Sequence, residues 1–281
     1  MRRRLRWRRV DSAELPTITD RLTRWPAPSG GASRHMFALS AIEAYGTEPL
    51  RLATDTDRWA LAVVFPGRLV VPCGDAAAVE SAGSPARRWR LMVGDREACD
   101  PMLARTGRDS NLVVHDQRFL TVDPDRVPGE LELPDPGLRR AVDADLPGLA
   151  RLAVRLHIDD RFGPDPGRSG LRGYRERIEG SLRQGLVHCV GPIGAPVLKV
   201  ERSVSSQRWG VQLAGIVVDP THRCQGLGRA AVAAAVRSAL DEAPLGRPVS
   251  LHVRVDNLPA LRAYAAAGFV DREAWRLAVR S

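Results

Sequence analysis

Lysine is almost missing from this chain. Lys199 is its one instance in 281 residues, although arginine brings the formal net charge to +9. Six of those charges come from arginines among the first nine residues, and without them the balance falls to +3. A cationic face spread over a folded surface marks a nucleic-acid binder. An excess gathered in one terminal segment of an arginine-biased chain is compositional, so nucleic acid is not an expected partner. Cysteine is scarce too: Cys73, Cys99, Cys189 and Cys224 are scattered without paired spacing. That excludes a zinc-ligand pattern and a disulfide framework, leaves metal out of the expected chemistry, and fits a reducing cytoplasm. No uninterrupted apolar run approaches the ~20 residues of a membrane-spanning helix. The basic start runs into Val10, Asp11 and Ser12 without the apolar core or cleavage site of a secretory signal, so neither a membrane nor export is expected.

What is present is enough apolar sequence for two cores. The apolar share is 44%, and a domain typically takes about 100–200 residues. Turn formers are densest over 123–137, which holds Pro124, Pro128, Gly129, Pro134, Pro136 and Gly137. The expectation is an N-terminal domain over 1–122, a linker over 123–137 and a second domain over 138–281. The first half reads as mixed α/β, with helices over 12–24, 38–45, 75–82 and 95–105. Its strands fall over 50–54, 59–65, 68–72 and 89–93, and 112–115 with 119–122 form a hairpin. It carries no catalytic cluster. In the second half strands are expected over 138–142, 186–190, 196–201, 213–218, 249–255 and 273–279. Helices are expected over 146–156, 174–183, 229–240 and 258–267, with a Pro/Gly/Asp-rich loop over 161–168 and a turn over 203–209.

The second half is organised around residues 210–230. An apolar, β-branched run stops at Asp219 and Pro220, a turn carries Gly226 and Gly228, and an alanine-rich helix follows. Such a helix aims free backbone N–H groups and the positive end of its dipole into the loop. Two residues without a Cβ let a ligand approach, and Arg223 and Arg229 add charge on either side. The arrangement suits an anion such as a pyrophosphate. A plain strand-to-helix connection is the competing reading. The loop has neither the Gly-Lys-Ser/Thr ending of a P-loop nor the third glycine of a dinucleotide fingerprint.

Two motifs carry a resemblance. Arg223, Gly226 and Gly228, after Val218 and Pro220, match a Gln/Arg-x-x-Gly-x-Gly/Ala loop. Asn257, Ala260, Tyr264, Gly268 and Phe269 match Asn-x-x-Ala-x-x-x-Tyr-x-x-x-Gly-Phe. Both occur in GNAT-family N-acetyltransferases, which residues 138–281 resemble. The first half more loosely resembles the degenerate N-terminal domain of two-part GNAT proteins from high-GC bacteria. The resemblance implies an α/β (α+β) GNAT fold: a central mixed, mostly antiparallel sheet flanked by helices, in two tandem domains.

It also implies acetyl-CoA as co-substrate, with no metal, and a primary amine of a small molecule, peptide or protein as acceptor. Backbone N–H groups of Cys224, Gln225, Gly226, Leu227, Gly228 and Arg229, with Arg223, would hold the pyrophosphate. Main-chain groups of Ile216, Val217 and Val218 would pair with the pantetheine. Asn257 would hydrogen-bond the pantetheine, or cap the helix that follows it. Tyr264 matches the general acid that protonates the leaving thiolate, with core packing as its alternative role. Many members set a glutamate on the fourth strand as base, but here Gln212 and Ala214 stand where it would fall, and neither takes a proton. Glu201 is the nearest candidate, followed by His157, His188 and Asp159. The leading function is acetyl transfer by direct attack, in a monomer or homodimer. An acyl-CoA-binding sensor or scaffold is the alternative.

Overall fold

Strand-forming and helix-forming stretches follow one another in the same order twice along the chain. The computed structural model describes residues 4–86, 88–106, 111–163, 165–206, 208–242 and 248–280. Residue contacts divide the chain into two units, Met1–Phe119 with Arg272–Ser281, and Leu120–Asp271.

The first unit runs β1 (Arg8–Arg9), α1 (Leu15–Thr23), α2 (Gly31–Arg34), α3 (Met36–Tyr45), β2 (Leu50–Thr54), β3 (Trp59–Val64), β4 (Leu69–Gly74), α4 (Ala76–Ala82), β5 (Leu91–Asp95), α5 (Arg96–Ala104) and β6 (Leu112–Val122). Pairs β1–β2, β2–β3 and β3–β4 are antiparallel and β4–β5 is parallel. Val79 of α4 and Ala98, Cys99 and Met102 of α5 pack with Val70, Trp89 and Met92 in its core.

The second unit runs β7 (Arg139–Arg140), α6 (Leu146–Asp159), α7 (Gly167–Arg183), β8 (Val187–Val190), β9 (Leu198–Ser206), β10 (Gly210–Val218), α8 (Leu227–Glu242), β11 (Val249–Arg254) and α9 (Leu258–Ala266), before β12 (Val270–Arg280). Its pairing repeats that of the first: β7–β8, β8–β9 and β9–β10 antiparallel, β10–β11 parallel. The alternation of strand side chains sorts the core into two faces. Val187 and Cys189 join Leu149, Ala153 and Ile178 of α6 and α7, whereas Val190 joins Val232 and Val236 of α8. Alanine, the best helix former, fills α8 and lies flat on the sheet, with Ala231, Ala235 and Ala239 buried. Among the described residues no helix is long and apolar enough to cross a membrane.

Three sequence expectations change. The hairpin over 112–122 is one continuous strand, β6. The segment Asp116, Gln117, Arg118 offers neither glycine nor proline for a tight turn, and Asp116 pairs with Arg276 instead. The turn expected over 203–209 starts later, because β9 continues to Ser206; residue 207 lies outside the described residues. The last strand pairs antiparallel with β5 of the first unit, from Trp275 opposite Asp95 to Val279 opposite Leu91. There Ala278 enters the core and Trp275 stacks on Phe119 with ring centroids 5.0 Å apart.

Candidate functional site

β10 and β11 start as neighbours and then part. Their pairing runs from Val211–Val249 to Leu213–Leu251 and goes no further. Beyond it β10 carries an irregularity between Ala214 and Val217, where Gly215 has φ +56, a conformation that disfavours residues with a Cβ. Lys199, fully buried, donates to the Gly215 carbonyl at 3.1 Å and to Glu201 at 2.7 Å. A Cβ at 215 would lie 2.5 Å from its ammonium nitrogen. The chain's single lysine thus props the bulge that turns β10 away from β11.

The parting opens a cleft of about 890 Å³, lined by Leu156 and Asp159 of α6 and the following Asp160, by Ile216, Val217 and Val218, by the loop from His222 to Arg229, and by Arg254, Asp256, Asn257 and Tyr264. Every residue expected to hold the donor lies on this wall. At its mouth the first bond of α8 runs from Ala230 N–H to the Gly226 carbonyl at 3.2 Å, which leaves the N–H groups of Leu227, Gly228 and Arg229 outside the helical ladder. Gly226 has φ +79 and Cys224, unusually for a residue with a side chain, φ +61, so the loop stores backbone strain of the kind found at ligand-binding turns. Arg223 donates to the Val218 carbonyl at 3.0 Å and to Asp159 at 2.7 Å. Arg229 is exposed and has no acidic partner among the described residues.

Asn257 caps α9, accepting from the Ala260 N–H at 3.3 Å, so its capping role is present and its amide N–H₂ remains for the cleft. Tyr264 is 8% exposed. Its ring lies 6.0 Å from that of Phe269, and its hydroxyl has no hydrogen-bond partner among the described residues. Burial, reinforced by the Asp160 charge, pushes the phenol well above its ordinary value, so it is protonated at neutral pH.

The acceptor side departs from the sequence expectations. Glu201 does not line the cleft. Burial would raise its carboxyl, but the Lys199 and Arg177 charges and hydrogen bonds from Lys199 and Ser181 hold it down to about 2. A carboxylate so fully held has little affinity for another proton. Gln212 is also in the core, where its amide nitrogen lies 2.8 Å from His252 Nε2 and its carbonyl accepts from Ser203 at 3.2 Å. Burial lowers His188 to about 4 and leaves it neutral within the sheet. His157 Nδ1 is engaged by the Tyr174 hydroxyl at 2.7 Å. Asp159 is held by Arg155 and Arg223, both at 2.7 Å.

The sequence reading missed Asp160, which follows the last residue of α6 and lines the cleft. A signal was available: two consecutive aspartates close a helix whose C-terminal carbonyls already concentrate negative charge. Burial raises the Asp160 carboxyl to about 6; Arg254 opposes this and Asp159 and Asp256 add to it.

Comparison with known proteins agrees with this geometry. Residues 181–269 match the model of the acetyltransferase (GNAT) family. No curated protein is significantly similar to the chain. Among solved structures, a GCN5-related N-acetyltransferase from Sphaerobacter thermophilus is similar at TM-score 0.61 and 13% identity, covering 99% of this chain and 96% of its own. A GNAT-family acetyltransferase from Colwellia psychrerythraea gives 0.58 and 9%, covering 98% and 100%. A tandem GNAT protein from the clavulanic acid biosynthesis pathway gives 0.53 and 14%, covering 98% of both. At these identities the structures establish a GNAT fold, and within it residues 181–269 match the GNAT family.

Proposed function

We propose that the second unit binds acetyl-CoA in the cleft between β10 and β11 and transfers its acetyl group to a primary amine. The observation that carries this reading is Tyr264, a buried phenol with an unengaged hydroxyl at the wall of a cleft whose mouth is a helix N-terminus. The residues present fit the donor. N–H groups of Leu227, Gly228 and Arg229 and the free Arg229 guanidinium offer a diphosphate charge-assisted hydrogen bonds. Gly226 and Gly228 leave room for it. Past the end of the β11 pairing, the edge of Ile216 to Val218 that faces away from β9 borders the cleft and is open to an extended amide chain, with the Val218 carbonyl shared with Arg223. Asn257 offers its amide N–H₂ on the opposite side.

The thioester supplies an activated acyl carbon and a sulfur leaving group. Tyr264 holds the proton that group needs, and a raised pKa keeps it in place until negative charge develops on sulfur. Lys199 and Glu201 act on structure, keeping the bulge at Gly215 and hence the direction of the β10 amides. In this reading Glu201 is not the base.

Acetyl-CoA is expected to raise the melting temperature of the whole chain through its binding to the folded state. Release of free thiol in the presence of primary amines is the test of transfer. A melting temperature unchanged by acetyl-CoA overturns the binding reading. Stabilisation without thiol release from any amine turns the protein into an acyl-CoA sensor.

A further inference from the structure

Three carboxylates line the cleft, and two are committed. Asp159 is neutralised by Arg155 and Arg223. Asp256 receives both nitrogens of a bidentate Arg254, at 2.8 and 2.9 Å, and lies 3.7 Å from Arg161. The Asp160 carboxylate takes no hydrogen bond and no ion pair among the described residues. It is half-buried at the C-terminal end of α6 and close enough to Tyr264 for its charge to act on the phenol. The groups facing it are Arg254 and Asp256 from the end of β11, Tyr264 from α9 and its neighbour Asp159, with Arg223 reaching Asp159 from the loop. A carboxylate left open and an unengaged phenol on one wall can take a proton on one side and give one on the other.

We propose that Asp160 takes the proton of the incoming amine, and that the acceptor therefore enters this cleft as an ammonium cation. The inference rests on the acetyl-transfer reading and assigns its missing base. The Asp160 carboxylate accepts one proton from R–NH₃⁺ and frees the nitrogen lone pair. Nitrogen bonds to the acyl carbon, and the carbon–sulfur bond breaks with its electron pair leaving on sulfur. Tyr264 gives its proton to that sulfur and recovers one from the nitrogen, which sheds its second proton in becoming an amide. One ammonium and one thioester yield one amide, one thiol and one proton, held on Asp160 until it passes to water. The order has a physical logic. An ionised Asp160 attracts the cation and holds the Tyr264 proton in place. Once Asp160 is neutral, one of the two influences raising the phenol is gone, and Tyr264 becomes the stronger acid at the step that needs it.

The test compares wild type with Asp160→Asn in the full chain, using 1,4-diaminobutane and glycinamide as probe amines at saturating acetyl-CoA. Wild-type kcat/KM should climb with pH through an inflection near 6. In Asp160→Asn the inflection should vanish and turnover fall about 100-fold, with acetyl-CoA stabilisation retained and partial rescue in Asp160→Glu. An inflection that survives in Asp160→Asn overturns the proposal. Side-chain carboxyl ¹³C titration reads the same group without turnover: a resonance titrating near pH 6 that is lost in Asp160→Asn supports it, and none overturns it. If Tyr264→Phe and Gly226→Val impair turnover and donor binding while Asp160→Asn behaves as wild type, this inference alone fails. If those two variants behave as wild type as well, it is the acetyl-transfer reading that fails.

Discussion

The two units of this chain share an order of strands and helices and a pattern of pairing, yet they differ at the two places where a donor would be held. In the first unit a single residue, Asp75, joins β4 to α4. Its carboxylate accepts the Trp59 N–H at 2.8 Å, so negative charge already occupies the end of the helix that an anion would approach. In the second unit residues 219–226 make the same connection and, together with the first turn of α8, present two arginines and two glycines. The helix after the fifth strand repeats the contrast. Asp95 caps α5 through the Ala98 N–H at 2.9 Å, as Asn257 caps α9. Seven residues past each cap stand Met102, packed in the core, and Tyr264, at the wall of the cleft. Equal topology thus supports one unit built for packing and one built around an open wall.

The contrast is tested first by its chemistry. Tyr264→Phe is expected to lower kcat by at least about 100-fold and to leave the acetyl-CoA KM within about twofold, measured by thiol release. Met102→Tyr in the first unit should change neither. Unaltered turnover in Tyr264→Phe would remove it as the acid.

Next in size is the prop beneath the cleft. Lys199→Met leaves the buried Glu201 charge without its closest partner, and urea unfolding should show a loss of about 3–5 kcal/mol. Glu201 titrates at about 2 in the fold against an ordinary value of 4.5. Its contribution to stability is therefore complete above pH 4.5 and disappears as pH falls from 4.5 toward 2. The variant should lose that acid window.

Gly226→Ala follows, with about 1–2 kcal/mol of strain from the left-handed conformation and a smaller melting-temperature rise with acetyl-CoA. Gly228→Ala should cost less in the free protein, since its Cβ would meet only Val218 Cγ2 at 3.5 Å. Equal strain at both positions would contradict the backbone geometry. The smallest effect is expected for Arg229→Ala, which should weaken acetyl-CoA about tenfold by calorimetry, more at low salt than at high. Arg96→Ala, at the start of α5 in the first unit, should leave affinity unchanged.

Much of the cleft wall was readable because it is written in local rules. A glycine where φ turns positive, a capping asparagine before a proline-led helix, and a tyrosine one face along are short-range signals. The carboxylates obey no such rule. Glu201 looked available until Lys199, Arg177 and Ser181 closed around it from β9 and α7, and no spacing in the sequence announces that enclosure. Asp160 carried no such mark in the sequence, because its raised pKa comes first from burial and then from the charges of Asp159 and of Asp256, the latter nearly a hundred positions away. Likewise, the sequence over 273–279 marked β12 as a strand but carried nothing about its partner, since either face of an alternating strand fits any sheet with a free edge.

By itself, then, the sequence determined the order of elements, the anion-ready loop and the phenol at its fixed distance, all of which depend on backbone conformation and helical period. Tertiary structure alone decided which carboxylate stays open. The protonation of Asp159, Asp160 and Glu201 is set by burial and by charges brought together from distant segments, and those distances exist only once the chain has folded.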